Sequence, residues 1–361
     1  MFGNWLDSFS QSISSFSARN DETPELTHAG SLASFIFLIT GLQRRLNDPT
    51  LTIFNSRGVL EGPRSWLGSG QSFSVERAEW KNASTGASHG NLGDFVAVKF
   101  FRRTEENMTN WNTLLLEIRA LLHEPIRYHP NIVRFLGIHW GAMHGSIAMF
   151  PVLMLEYAKF GTLDDFQASS GPLEFEVKKK LCHDVSKGLS ILHACGVVHG
   201  DLKPRNVLIF SNKDESATVF FTAKLSDFGG SVMDLTENHQ RLRVYEENFG
   251  PPEYRETLDA EGLKLTDAYS FGFLVWRTFL DGENPFKLPV LANSSPDEIK
   301  CTDGLYPIAQ QSVRLRNTTT HDQDLQIIDF VLENTIRTSP QHRNLIWCVA
   351  ALQASKYVLS F

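Results

Sequence analysis

Apolar and polar positions along the 361-residue chain follow two periods, and the switch between them divides it. Near the start, Phe2, Trp5, Leu6, Phe9, Ile13 and Phe16 recur at helical spacing, separated by Ser, Gln and Asn. The surrounding residues 1–28 otherwise have the Ser-, Asn- and acid-rich composition of a mobile tail. Three readings stay open for that stretch: a short helix docked on its own domain, a membrane-surface or partner contact through residues 2–16, or disorder. The second is weakened because no Lys or Arg precedes Arg19. Residues 29–47 predict a helix ending in Arg44 and Arg45, a basic pair that suits a helix C-terminus. From about residue 60 the period shortens to two. WLGSGQSFSVERAEW and DFVAVKFF read as strands around a polar loop at 81–93, expected to be an exposed hairpin insertion. Leu114, Leu115, Ile118, Leu121 and Leu122 then predict a helix within 107–123, followed by strands at 132–139 and 148–156. Beyond GTLDDF at 161–166 the pattern is mainly helical, apart from short strands at 206–210 and 219–225. There are no internal repeats.

Composition narrows the classes without choosing one. A hydrophobic content of 42% and a charged content of 21% describe an ordinary globular protein. The net charge of −7 gives no electrostatic reason to expect nucleic-acid binding. Cys182, Cys195, Cys301 and Cys348 lack metal spacing and fit reduced, mostly buried thiols. The most apolar stretch, SLASFIFLITGL at 31–42, is too short for a transmembrane segment and is preceded by Asp21, Glu22 and Glu25, unlike a signal peptide. Phe2 stands where N-myristoylation needs glycine. The expectation is a soluble cytoplasmic protein, with the nucleus as the second compartment.

The chemistry concentrates in HGDLKPRNVLIF at 199–210 and SDFG at 226–229. Asp201, Asn206 and Asp227 offer hard oxygen ligands on two loops next to apolar runs, a donor set suited to Mg²⁺ held against phosphates. Lys203 adds a point charge between them. A lone Asp-x-x-x-x-Asn is a weak signal, so the flanking strands matter. Lys99, in VAVKFF, taken alone is an ordinary exposed strand residue. Glu117 is the only acid in the apolar stretch of the next helix, and could reach that ammonium. The glycines of Gly68-Ser69-Gly70, ahead of Val75, would let backbone amides approach phosphate oxygens, although most such triplets are plain turns.

In this order the segments resemble the eukaryotic protein kinase superfamily, serine/threonine-type, with His199-Gly200-Asp201 in place of His-Arg-Asp (a non-RD pattern). HPNIV at 129–133, MLEYAKFGTLDDF at 154–166, Pro251-Pro252-Glu253, DAYSFGFLVW at 267–276 and GENPF at 282–286 fit the same series, so the likeness covers about residues 60–355. It implies an α+β, bilobal fold with a small β-rich N-lobe containing helix C, and a larger, mainly helical C-lobe. The implied divisions are a tail at 1–28, a helical extension at 29–59, an N-lobe at 60–157 and a C-lobe at 158–355. It further implies ATP and Mg²⁺ as cofactors and transfer of the γ-phosphoryl group to serine or threonine hydroxyls of protein substrates. Asp201 would orient the hydroxyl and accept its proton, Lys203 would steady the γ-phosphate, and Asn206 and Asp227 would hold the metal. Gly68, Ser69, Gly70, Val75, Ala97, Lys99 and Glu117 would line the nucleotide site. Backbone groups of Glu156 and Ala158 would meet the adenine edge, with Leu155 closing the back of the pocket. Asp267, at the start of its helix, would anchor the catalytic loop, and Arg343 would pair with Glu253. Leu121, Phe135, His199 and Phe228 would stack between the lobes.

Three departures put parts of this in question. Phe73 stands where the family has a third glycine, Gly200 replaces an arginine that would meet an activation-loop phosphate, and Glu246 falls where a threonine is usual. Phosphorylation at Ser231, Thr236 or Tyr245 is therefore not expected to be strictly required. The departures also favour the main rival, an ATP-binding pseudokinase or signalling scaffold. A small-molecule phosphotransferase of the aminoglycoside-kinase type shares His-Gly-Asp but lacks the Pro-Pro-Glu and DAYSFG elements.

Overall fold

The alternating segments of the first half pair into one six-stranded sheet. The computed structural model describes residues 32–46, 52–53, 64–70, 73–79, 95–101, 111–142, 149–212, 219–235, 239–292 and 294–353. The amphipathic pattern at 2–16 and the hairpin insertion at 81–93 lie outside the described residues. Helix α1 (Leu32–Leu46) precedes strands β1 (Thr52–Ile53), β2 (Ser65–Ser69), β3 (Phe73–Glu79), β4 (Phe95–Phe101), β5 (Phe135–Ala142) and β6 (Met149–Glu156). Helix α2 (Trp111–Leu122) and the one-turn α3 (Glu124–Arg127) lie between β4 and β5. The strand order is β1-β5-β6-β4-β3-β2, antiparallel throughout except for the parallel pair β1 and β5. The two residues of β1 are too few to leave a periodic signal, and no strand was expected there.

Alternation in β4 assigns the two faces of the sheet. Val96, Val98 and Phe100 pack with Ala78, Leu136, Val152 and Met154 in one cluster. Ala97 belongs instead to the main core with Leu155, and Lys99 reaches Glu117 of α2. Helix α1 closes over α2: Phe35 and Ile39 are fully buried, and the Phe35 ring lies 5.3 Å from that of Trp111.

The second lobe contains α4 (Leu163–Ser170), α5 (Phe175–Ala194), the hairpin β7 (Val207–Ser211) and β8 (Phe221–Leu225), α6 (Ala260–Phe279), α7 (Pro296–Lys300), α8 (Leu305–Arg316), α9 (Asp322–Glu333) and α10 (Leu345–Gln353). A capping box opens α4: the Thr162 hydroxyl accepts from the Asp165 amide, and the Asp165 carboxylate accepts from the Thr162 amide, each at 3.1 Å. Helix α6 is the centre of this lobe, with Phe271, Phe273, Trp276 and Phe279 fully buried. One expectation is corrected here. Asp267 does not start its helix: Asp259 caps α6, accepting from the Gly262 amide at 2.7 Å, and buried Leu263 and Thr266 extend the helix ahead of Asp267. The cysteines are all free: Cys182 and Cys348 are buried, Cys195 is half-buried and Cys301 is exposed. Among the described residues no helix is long and apolar enough to cross a membrane.

Candidate active site

The buried carboxylate of Asp267 fixes the backbone of the loop after α5. It accepts from the His199 amide at 2.8 Å and the Gly200 amide at 2.9 Å, with the His193 ring at 2.9 Å. Burial alone would raise its pKa, but the hydrogen bond and charge of His193 prevail and hold it below the usual carboxylate range. Gly200 has φ = +72°, and a Cβ there would meet the Gly230 carbonyl at 2.9 Å. Glycine adopts this geometry without strain, which gives the His-Gly-Asp departure a local cause. Asp201 follows with its carboxylate 3.0 Å from Lys203 Nζ. Burial raises the Asp201 pKa, and Lys203 offsets only part of that rise. The Asn206 amide donates to the Asp201 carbonyl at 2.7 Å and to its carboxylate at 3.0 Å. Ser226 joins this loop to the next one: its amide and hydroxyl donate to the Asn206 carbonyl at 2.9 and 3.0 Å.

A second cluster forms around Lys99. Its ammonium donates to both oxygens of Glu117 and to Asp227 Oδ1, each at 2.8 Å. Burial disfavours the ammonium, yet Asp227 and Glu117 outweigh that and raise its pKa. Asp227 adopts the left-handed conformation, φ = +63°. Its carboxyl is held low because Lys99 overcomes the effect of burial. Phe228 is fully buried with its ring 5.3 Å from that of His199, and Leu121 and Phe135 are buried in the same core. Gly68 and Ser69 lie at the end of β2, where the register slips between Trp66 and Gly68, and the Gly70 amide closes on the Phe73 carbonyl at 2.8 Å. Val75 faces Lys99 across the sheet and Ala97 faces Leu155. Where the chain leaves β6, Glu156 binds Lys224 at 2.6 Å and accepts from the Arg134 amide at 2.7 Å. Two residues on, the carbonyl of buried Ala158 accepts from the Gly161 amide at 3.1 Å. The named residues therefore gather between the lobes in two groups, Lys99–Glu117–Asp227 and Asp201–Lys203–Asn206, tied through Ser226.

Residues 67–356 match the family described as Protein kinase domain. The chain belongs to that family. It is 33% identical over 217 residues to the probable serine/threonine-protein kinase gdt8 of Dictyostelium discoideum, covering 59% of this chain and 15% of that protein. The human dual specificity testis-specific protein kinase 2 is 32% identical over 152 residues, 41% of this chain and 24% of that protein. The mouse dual specificity testis-specific protein kinase 1 is 39% identical over 103 residues, 28% and 14% respectively. The chain thus spans under a quarter of the length of each of these three relatives.

Within the kinase domain, the segment after Asp227 is held by contacts that the sequence did not announce. Val198 and Val232 form a backbone bridge and pack with Leu263, joined by Leu235, Leu242 and Leu258. Arg119 of α2 donates to Asp234 at 3.0 and 3.1 Å. Gln240 and Leu258 form another backbone bridge. Ser231 is fully buried with its hydroxyl 3.3 Å from the His199 carbonyl, Tyr245 donates to Asp297, and Thr236 lies outside the described residues. Glu246 approaches Lys203 Nζ at 3.4 Å, the neighbourhood anticipated from its sequence position. Buried Lys300, which no motif flags, donates to the carbonyls of Glu247 and Gly250, the latter at 2.8 Å. Burial depresses its pKa to about 8. The expected Glu253–Arg343 pair is present and buried.

Proposed function

We propose that the chain is a serine/threonine protein kinase that transfers the ATP γ-phosphoryl group to hydroxyls of protein substrates. The observation that supports this most directly is the intact Lys99–Glu117–Asp227 cluster beside Asp201 and Asn206. The donor set suits Mg²⁺: Asp227 contributes a carboxylate, and the Asn206 carboxamide nitrogen is bonded to Asp201, leaving its oxygen as the group able to ligate. Asn206 and Asp227 would hold that ion, which supplies charge neutralisation at the phosphates when bound. Lys99 would orient the α- and β-phosphates, fixed by Glu117. Asp201, its pKa raised by burial, would receive the substrate's hydroxyl proton, and Lys203 would screen charge beside it. Gly68, Ser69 and Gly70 would cover the phosphates; Val75 and Ala97 would flank the base, and backbone groups of Glu156 and Ala158 would meet its edge. Lysine in DLKPRN favours serine and threonine acceptors, although two relatives carry dual-specificity names.

We further propose that activity does not require a phosphate on the activation segment. Gly200 supplies no cation for such a group, while the Val198–Val232–Leu263 cluster and the Arg119–Asp234 pair already hold the segment. A cytoplasmic or nuclear setting rests on the four free cysteines alone. A pseudokinase reading is favoured by two contacts, Phe73 over Lys99 and Glu246 on Lys203. Labelling with γ-phosphate-tagged ATP distinguishes the two. Asp201→Asn is expected to cut transfer about 10²–10⁴-fold. Equal signal from wild type and variant would mean that the activity belongs to a contaminant.

A further inference from the structure

Phe73 occupies the third-glycine position of the loop and lies 6% exposed. It stands two residues from Val75, so it shares a strand face with Val75 and hence with Lys99, Val75's cross-strand partner. That is the face turned toward the cleft. The Lys99 ammonium sits 4.0 Å from the centre of the Phe73 ring. The ring also reaches the second lobe: a Cβ built on Gly229 would lie 3.7 Å from Phe73 Cε2. One phenyl group thus bridges the glycine turn, the lysine and the Asp-Phe-Gly loop. The ammonium's three protons already have three carboxylate acceptors, Oε1 and Oε2 of Glu117 and Oδ1 of Asp227. A phosphate approaching Lys99 competes for the ammonium with Glu117, Asp227 and this ring.

We propose that Phe73 is a built-in competitor for the nucleotide's phosphates, closing the cleft over Lys99 until a Mg·nucleotide displaces it. This rests on the nucleotide-binding reading above, and deepens it. Opening the gate means re-exposing a phenyl ring to water and breaking a desolvated cation–π contact, both unfavourable. That cost is subtracted from nucleotide affinity. Removing the ring should therefore strengthen binding, whereas loss of a merely structural core side chain would weaken it.

The test is calorimetric titration of the full chain with Mg·ADP, which needs no catalytic turnover. Phe73→Ala should bind roughly tenfold tighter than wild type, about 1.4 kcal/mol. Phe73→Leu, which keeps apolar bulk but no ring face, should gain about threefold, or ~0.7 kcal/mol, and decides the matter if the alanine variant does not fold. Lys99→Met should bind more weakly than wild type. Wild-type binding that neither Phe73 variant improves would overturn the gate and leave the nucleotide site standing. Absence of binding in wild type and both Phe73 variants would overturn the nucleotide reading and the gate together. Binding seen only once the ring is removed would support the gate in its strongest form.

Discussion

Replacing Arg343 by methionine should be among the most destabilising single changes in the C-lobe. All five N–H donors of the guanidinium are used. Nε donates to the Arg337 carbonyl at 2.8 Å; Nη1 to Glu253 and to the Leu265 carbonyl at 3.1 Å; Nη2 to Glu253 at 3.0 Å and the Thr338 carbonyl at 2.9 Å. The group also lies 4.6 Å from the centre of the Tyr269 ring. The Arg343 side chain is 0% exposed and that of Glu253 6%, so water cannot replace the lost partner without local opening. Leaving one member of a buried pair uncompensated costs about 3–5 kcal/mol, a large share of a typical total of roughly 5–15 kcal/mol. At about 2–4 °C per kcal/mol for a lobe of this size, the melting temperature should fall by roughly 6–20 °C. Denaturant titration of wild type, Arg343→Met, Glu253→Gln and the double variant measures the coupling. The double variant should lose at least ~1 kcal/mol less than the sum of the singles, because it buries no orphan charge. A loss under about 1 kcal/mol for Arg343→Met, or strict additivity, would refute the reasoning.

Gly200→Arg, which restores the familiar arginine, should destabilise the chain by about 1–2 kcal/mol because φ is +72° there. It should not make activity phosphate-dependent; a phosphatase-sensitive variant as stable as wild type would contradict both points. His129 and His183 are each pushed down to about 4, first by burial and then by Lys187. The unfolded chain takes up these protons near pH 6.5 and the folded chain near 4, so stability should fall as pH drops through that window. His183→Gln should flatten the slope in pH-dependent melting, and an unchanged slope would exclude this residue. Phe35→Ala with Ile39→Ala should loosen α1 from α2 and raise amide exchange across Trp111–Leu122 at least tenfold, the effect of ~1.4 kcal/mol of lost protection. Unaltered exchange there would mean that α1 does not support the helix bearing Glu117.

What the sequence made legible was whatever repeats with a period or sits in a fixed spacing. The alternation of VAVKFF, the leucines of α2 and the order Lys99, Glu117, Asp201, Asn206, Asp227 led to elements and neighbours found in the fold. Two-residue β1 left no trace, since a period needs several turns of the pattern to be seen. The first turns of α6 carry a weak helical signal because EGLKLT contains Gly and Thr, whereas the Asp259 cap outweighs their weak propensity. Lys300 was invisible for another reason. Its partners are backbone carbonyls, which exist at every position and select no residue type in the sequence. Arg119–Asp234 likewise joins a half-buried helix position to a loop, and long-range pairs of that kind have no local signature.

Two of the three departures from the family pattern, Phe73 and Glu246, converge on one electrostatic condition. Both ammonium groups facing the cleft are engaged by the protein: Lys99 by Glu117, Asp227 and the Phe73 ring, Lys203 by Asp201 and Glu246. A phosphate entering this cleft exchanges one set of charge contacts for another, so its net gain is the difference between them. At the activation segment the balance is opposite. There Gly200 offers no cation, and the segment is held by apolar packing around Val198, Val232 and Leu263, an interaction that phosphate cannot strengthen. Under the proposed phosphate-independent activity, control is accordingly to be sought at the nucleotide entrance and at α2, which α1 and the Arg119–Asp234 pair both touch, rather than at a phosphorylated loop.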